Sequence, residues 1–300
     1  MAVPDGPLDD LENERIFRDD ILPAYLGLMP PARSVRKPVG IVLGGQMGAG
    51  KSRLIRALRG TVTPRAVVVD ADLLRSFHPA YPDLKSVDPA AAVRVSAVDS
   101  GRWTEKLVSA LAARRAHLVV EGTMRRFEPF RDTADLLRRS GYEVRVAVLA
   151  VDGRISWQAT VQWAEEMAAL GEGMRTVERT LHDEAGAGML ETVDRICASG
   201  FADRVAVHAR DGAALLEMRA IDGAYPNPGV TRTTILAERN RPWDERAVLE
   251  HDVRWARILD LMTARAAPAG QVRAVVADRE RDMRELASAP GAFVPGDGPS

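Results

Sequence analysis

The residues best suited to chemistry lie in one eight-residue stretch, Gly45-Gln46-Met47-Gly48-Ala49-Gly50-Lys51-Ser52, which fits G-x-x-x-x-G-K-[ST]. Glycines free the backbone to fold back and point successive N–H groups inward, a nest for phosphate oxygens. A lysine at the end of such a loop reaches β- and γ-phosphates, and the following hydroxyl can ligate Mg²⁺. The bland alternative is a glycine-rich turn beside a chance lysine. The flanks decide against it. Val39 to Leu43 is a short apolar, partly β-branched run that reads as a buried strand. Arg53 to Arg59 has helical spacing, with Leu54, Ile55 and Leu58 apolar. A helix starting at the loop would add its positive N-terminal end. Gly45, Gln46, Met47, Gly48, Ala49, Gly50, Lys51 and Ser52 are therefore the expected ATP-binding residues, with Ser52 on Mg²⁺.

A second set of candidates follows from the rule that open parallel sheets bind ligands outside the carboxyl ends of their strands. The run "AVVVD" ends at Asp70, with Asp72 just beyond, and "HLVVE" ends at Glu121, followed by Thr123 and Arg125. A carboxylate there can hold Mg²⁺ or its water, or take a proton from an attacking hydroxyl. Residue types alone do not divide those tasks among Asp70, Asp72 and Glu121. Asp72 would also make a good N-cap for "LLRSF". His78, in "FHPAY", reads as a turn or packing residue, and the five histidines have no metal-ligand spacing.

These residues need a frame, and the chain supplies one. Short apolar runs at 39–43, 66–70, 117–121, 142–151 and 204–210 alternate with helical patterns at 89–116, 130–141 and 155–198. The pattern predicts an α/β fold: a P-loop kinase-like parallel sheet with helices on both faces, plus a C-terminal helical extension. A break is expected near Ser100-Gly101 and another at "LGEGM". The expected organisation is an N-terminal helix and linker at 1–38, a P-loop kinase core at 39–210, a strand and loop segment at 211–240, C-terminal helices at 241–288 and a disordered tail at 289–300.

Composition narrows the function classes. The chain has 300 residues, 46% of them hydrophobic, and 41 basic against 42 acidic residues. No global field favours nucleic acid or membrane. The 5 Trp, 4 Tyr and 6 Phe do not interleave with a basic stripe. One cysteine, Cys197, leaves no intrachain disulfide and suits a reducing compartment. The N-terminal residues lack an apolar signal core, and no apolar run approaches the ~18 residues of a membrane span, so a cytoplasmic location is expected.

Taken together, "LGGQMGAGKS", "VDADLLRSFHPAY" and "VVEGTMRR", in that order and spacing, resemble the zeta toxin family of P-loop kinases from toxin–antitoxin systems. The resemblance runs from the N-terminal helix to about residue 210. It implies transfer of the γ-phosphoryl of ATP, with Mg²⁺, to the 3′-hydroxyl of the sugar in UDP-N-acetylglucosamine. It also implies a small helical antitoxin that blocks the nucleotide site. By position, Asp72 resembles the general base and Lys51 the phosphate-loop lysine. Glu105, Glu121, Thr123, Arg125 and Thr133 fall on acceptor-binding positions. Arg175 matches a lid arginine, and Arg179, four residues on, could join it on the transferred phosphoryl group. One position departs: Trp163 stands where the family has another lid arginine.

Three functions remain open from the sequence. One is a kinase of a sugar nucleotide, acting as a toxin. Another is a kinase of a different small hydroxyl acceptor, such as a nucleoside, dinucleotide or antibiotic. The third is a degenerate toxin that binds nucleotide without turnover.

Overall fold

The computed structural model describes residues 6–27, 37–61, 65–171 and 177–288. Helix α1 (Asp10–Ile16) continues through a π-helical turn into α2 (Leu22–Leu26). Strand β1 (Val39–Gly44) leads through the glycine loop into α3 (Lys51–Thr61), and β2 (Val67–Asp70) into the short α4 (Ala71–Leu74). After α5 (Tyr81–Val87) and the long α6 (Pro89–Ala113) come β3 (Leu118–Gly122), α7 (Phe127–Arg139) and β4 (Glu143–Leu149). Next are α8 (Gly153–Ala169), α9 (Arg179–Ser199), β5 (Arg204–His208) and β6 (Ala214–Arg219). Helices α10 (Gly229–Arg239), α11 (Glu245–Ala264) and α12 (Ala269–Ser288) close the described chain.

The sheet has the order β2-β3-β1-β4-β5-β6. The first five strands run parallel, and β6 returns antiparallel to β5. Strand β1 lies in the middle and is buried along its whole length. Strand side chains alternate between faces, and the sequence obeys that period. Val42, Val144, Val146 and Val148 enter one core with α6, α7 and α9. Ile41, Leu43, Ala147 and Leu149 enter the other with Leu54, Ile55 and Leu58 of α3.

Three local readings of the sequence change. Helix α6 runs through Ser100-Gly101 without a break. The reason is tertiary: Ser100 and Trp103 are buried, and Trp103 Nε1 donates to the Asn13 carbonyl at 3.0 Å. The same face holds α1, because buried Asp99 accepts from Leu8 N–H at 2.9 Å and from Asn13 Nδ2 at 2.7 Å. Anchored on both sides, the helix outweighs the preference of Gly101 for a turn, worth about 1 kcal/mol. Second, segment 211–240 contains the helix α10 as well as strand β6. Third, the added strand makes the sheet mixed. The expected tail at 289–300 lies outside the described residues.

The C-terminal helices have a small core of their own. Trp255, Ile258, Met262 and Val275 pack with Trp157 of α8. Polar contacts fix the same face: Trp157 Nε1 donates to Asp278 at 2.8 Å, Gln158 Nε2 donates to the His251 carbonyl at 2.7 Å, and Arg265 pairs with Glu165 at 2.6 Å. Helix α8 is thus braced from behind by the extension. No helix among the described residues is long and apolar enough to cross a membrane.

Candidate active site

Between β1 and α3 the loop folds as its glycines allow. Gly48 and Gly50 have φ of +72° and +100°, and a Cβ at Gly48 would collide with the Ser156 carbonyl. Both facts require glycine there. Lys51, in the first turn of α3, bends back over the loop. Its ammonium donates to the Gly45 carbonyl at 3.1 Å and the Gln46 carbonyl at 3.3 Å, and stands 3.8 Å from Glu121 Oε1. Ser52 is exposed beside it. A cleft of about 340 Å³ opens here, lined by Met47, Gly48, Gly50, Lys51, Ser52 and Glu121 together with α8 residues that include Trp163.

Glu121 at the cleft has Asp70 beside it because β2 and β3 pair in register, Asp70 opposite Glu121. Asp70 caps α4 by accepting from Asp72 N–H at 2.8 Å. The capping role open to Asp72 in the sequence thus belongs to its neighbour. Asp72 Oδ1 takes a bond from Arg75 Nε at 3.1 Å. The other end of that guanidinium is fixed on α6, donating to the Val93 carbonyl at 2.9 Å and Ser96 Oγ at 3.3 Å. Burial pushes the Glu121 carboxyl up to about 6; Lys51 opposes this, while Asp70 and Asp72 add to it.

The remaining expected site residues are spread more widely. Thr123 is half-buried just past β3, Thr133 is half-buried on α7, and Glu105 is exposed on α6. Arg125 is 3.7 Å from Glu184. Arg179 turns away from the cleft: it reaches Asp183 at 3.2 Å and Asp278 at 3.6 Å, and lies over the Trp157 ring. Arg175 lies outside the described residues. Trp163 is 47% exposed and faces the phosphate loop, so α8 presents an indole at that wall. His78 is buried at the turn after α4, with Nδ1 accepting from Ala80 N–H at 3.2 Å and Nε2 3.6 Å from Asp99.

A family model described as zeta toxin matches residues 26–220, which takes in the phosphate loop, both strand-end acid groups and Trp163. The chain belongs to the zeta toxin family. Among relatives of known name, toxin PezT of Streptococcus pneumoniae is 29% identical over 180 residues, which cover 60% of this chain and 71% of PezT. Toxin zeta of Enterococcus hirae is 28% identical over 190 residues, covering 63% of this chain and 66% of that toxin. In three dimensions the chain resembles one from the PezAT toxin–antitoxin system of S. pneumoniae, with a TM-score of 0.69 at 22% identity over 84% of this chain and 98% of that one. A more distant likeness, TM-score 0.54 at 15% identity over 90% of each chain, is to the complex of AvrRxo1-ORF1 and AvrRxo1-ORF2 solved with ATP. At these identities the structural likenesses bear on the fold.

Several residues at the site carry no sequence signal that would single them out. Ser156 Oγ accepts from Gln46 Nε2 at 2.6 Å and lies 3.1 Å from His182 Nε2. Arg210 donates to the Gly48 carbonyl at 2.8 Å, and Arg239 donates to Gln46 Oε1 at 3.1 Å. The separations, 110 residues for Ser156 and 193 for Arg239, explain why no motif search finds them. Arg75 was within reach, since an arginine three residues after a helical aspartate lies beside it.

Proposed function

We propose that this member of the zeta toxin family is an ATP-dependent phosphotransferase that places the γ-phosphoryl group on a sugar hydroxyl of UDP-N-acetylglucosamine or a related sugar nucleotide. The observation that carries the reading is the meeting of Lys51 and the glycine loop with Glu121 in one cleft, with Asp70 opposite Glu121 on the next strand and the charges of Asp70 and Asp72 felt at Glu121. The loop would hold the donor phosphates through backbone N–H groups, and Lys51 would leave its carbonyl partners for the β/γ-phosphates. Asp72, held by Arg75, would take the proton from the acceptor hydroxyl. Glu105, Glu121, Thr123, Arg125 and Thr133 would contact the acceptor. Ser52 and the neighbouring carboxylates offer the oxygen donors Mg²⁺ accepts. When bound, that ion would neutralise charge on the β- and γ-oxygens.

Family membership supports a toxin role, and the PezAT likeness suggests a protein antitoxin as partner. Arg175 remains a candidate for charge on the transferred group. A second reading, nucleotide binding without turnover, is favoured by one observation: Trp163 at the cleft wall supplies no positive charge. Mass spectrometry of metabolite extract incubated with protein, ATP and Mg²⁺ separates the readings. A gain of one phosphate on UDP-N-acetylglucosamine supports the first. A gain on another compound moves the acceptor class, and ATP binding with no phosphorylated product supports the second.

A further inference from the structure

Two guanidinium groups approach the glycine loop from behind, and neither meets an ion-pair partner among the described residues. Arg210, two residues past β5, donates Nη1 to the Gly48 carbonyl at 2.8 Å. Arg239, the last residue of α10, donates Nη2 to Gln46 Oε1 at 3.1 Å and Nη1 to the Gly186 carbonyl at 3.1 Å. Its Nε is buried and has no hydrogen-bond partner among the described residues. Among the described residues no carboxylate comes within ion-pair distance of either side chain. Asp152, whose charge is felt at Arg239, already holds Arg154 at 2.6 Å and accepts from Trp243. Burial lowers the pKa of both arginines, and the charges of Arg53 and Arg254 lower that of Arg210 further.

Room for this arrangement is reserved in the fold. Gly186 has no side chain where a Cβ would stand 3.0 Å from Gln46 Oε1. Gln46 is itself buried and clamped from the far side by Ser156. Desolvated cations without counter-ions are unfavourable in an empty site. They become favourable when an anion arrives nearby, because the low-dielectric surroundings strengthen the attraction.

We infer that Arg210 and Arg239 form a second positive layer behind the phosphate loop, with the donor's polyphosphate as their counter-ion. Arg239 lies beyond residue 220, where the family match ends. The C-terminal segment therefore takes part in donor binding. Arg239 acts through Gln46 as a positioning residue and through its charge on the phosphates. The inference rests on the reading of the loop as a donor site.

The test is calorimetric titration of the full chain with ATP, ADP and AMP, with melting temperatures of the ligand-free proteins. In Arg239→Met and Arg210→Met, ATP affinity is expected to fall about tenfold, ADP affinity less and AMP affinity least, since attraction scales with ligand charge. The melting temperature of ligand-free Arg239→Met should hold or rise, because an unpaired buried charge is gone. Arg239→Lys should keep most of the ATP affinity. An equal loss for all three nucleotides with a fall in melting temperature would make Arg239 a plain structural brace and overturn the inference. Undiminished ATP affinity in both methionine variants would overturn it too. Failure of the wild type to bind ATP would instead remove the donor reading, and the inference with it. Should Arg239→Met not fold, the Arg210→Met series and the Arg239→Lys affinity decide.

Discussion

The donor and acceptor sides proposed for the cleft are built in different ways. The donor side is one continuous stretch, Gly45 to Ser52, whose working atoms are mostly backbone N–H groups. The acceptor side proposed above would be assembled from side chains on separate elements: Asp70 at the end of β2, Asp72 on α4, Glu105 on α6, Glu121 on β3, Thr123 just past it, and Thr133 on α7. Phosphate is recognised by a backbone shape that a few glycines can fix. A hydroxyl acceptor must be recognised by carboxylates and hydroxyls that only the folded sheet brings together. The two sides meet at the Lys51–Glu121 contact of 3.8 Å.

If this division holds, the largest loss should come from the donor side. Lys51→Ala is expected to lower phosphoryl transfer by about 10²–10³-fold, because a positioned charge on the phosphates disappears. Steady-state rates with the identified acceptor measure it; transfer at an undiminished rate would break the donor assignment.

On the acceptor side, Asp72→Asn should lower transfer by about 10²-fold, because a loose transition state leaves little bond to the attacking oxygen, while ATP affinity stays intact. Asparagine keeps the shape but cannot take the proton. Loss of Mg²⁺-dependent ATP binding in this variant would move Asp72 to the donor side and blur the comparison.

Arg75→Ala sharpens it further. Without the link from α6 to Asp72 the carboxylate loses its fixed position, and transfer should fall by roughly 10–10²-fold with the KM for ATP unchanged. In an Asp72→Asn background the same change should cost almost nothing, since the group it positions is already disabled. Full additivity of the two losses would show that Arg75 serves α6 alone.

A smaller effect is expected at the junction. The Glu121 carboxyl has its pKa raised from 4.5 to about 6 in the folded chain. The folded state therefore holds this proton more tightly than the unfolded chain. Stability from this group is full below about pH 4.5 and is lost as pH rises through 6. Glu121→Gln should thus stabilise the protein by about 1–2 kcal/mol at pH 7–8, with the gain vanishing near pH 4. Urea unfolding of both proteins across that range measures it; a gain that grows on acidification would reverse the sign.

The smallest rate change is expected at Arg179. Tied to Asp183 and Asp278 over the Trp157 ring, it belongs to the brace behind α8. Arg179→Ala should lower stability by about 1 kcal/mol and change transfer less than about threefold. A collapse of the rate would return it to the phosphate.

Local information made the strand, glycine loop and helix at 39–61 legible. The glycines, Lys51 and Ser52 are contiguous, and the strand before them and helix after them are written in short-range hydrophobic periods. The same periods gave the five parallel strands and the C-terminal helices, because alternation and helical spacing are read within a dozen residues. They also placed Asp70, Asp72 and Glu121 at strand ends, which is enough to bring them to the mouth of a parallel sheet. What stayed hidden depended on distant packing. Periodicity did not show that α6 continues through Gly101, because the anchor is Trp103 on Asn13 of another helix. The sequence left the cap of α4 open between neighbours, and backbone geometry assigned it to Asp70. It offered Arg179 as a phosphate contact, and the tertiary structure turned that side chain toward a helix almost a hundred residues on, at Asp278. Arg239 reaches Gln46 only because α10 packs against α9 and the loop, across 193 residues. A sequence specifies the contacts a residue makes with its chain neighbours; the direction of a long, flexible arginine is set by whichever acceptor the folded chain carries to it.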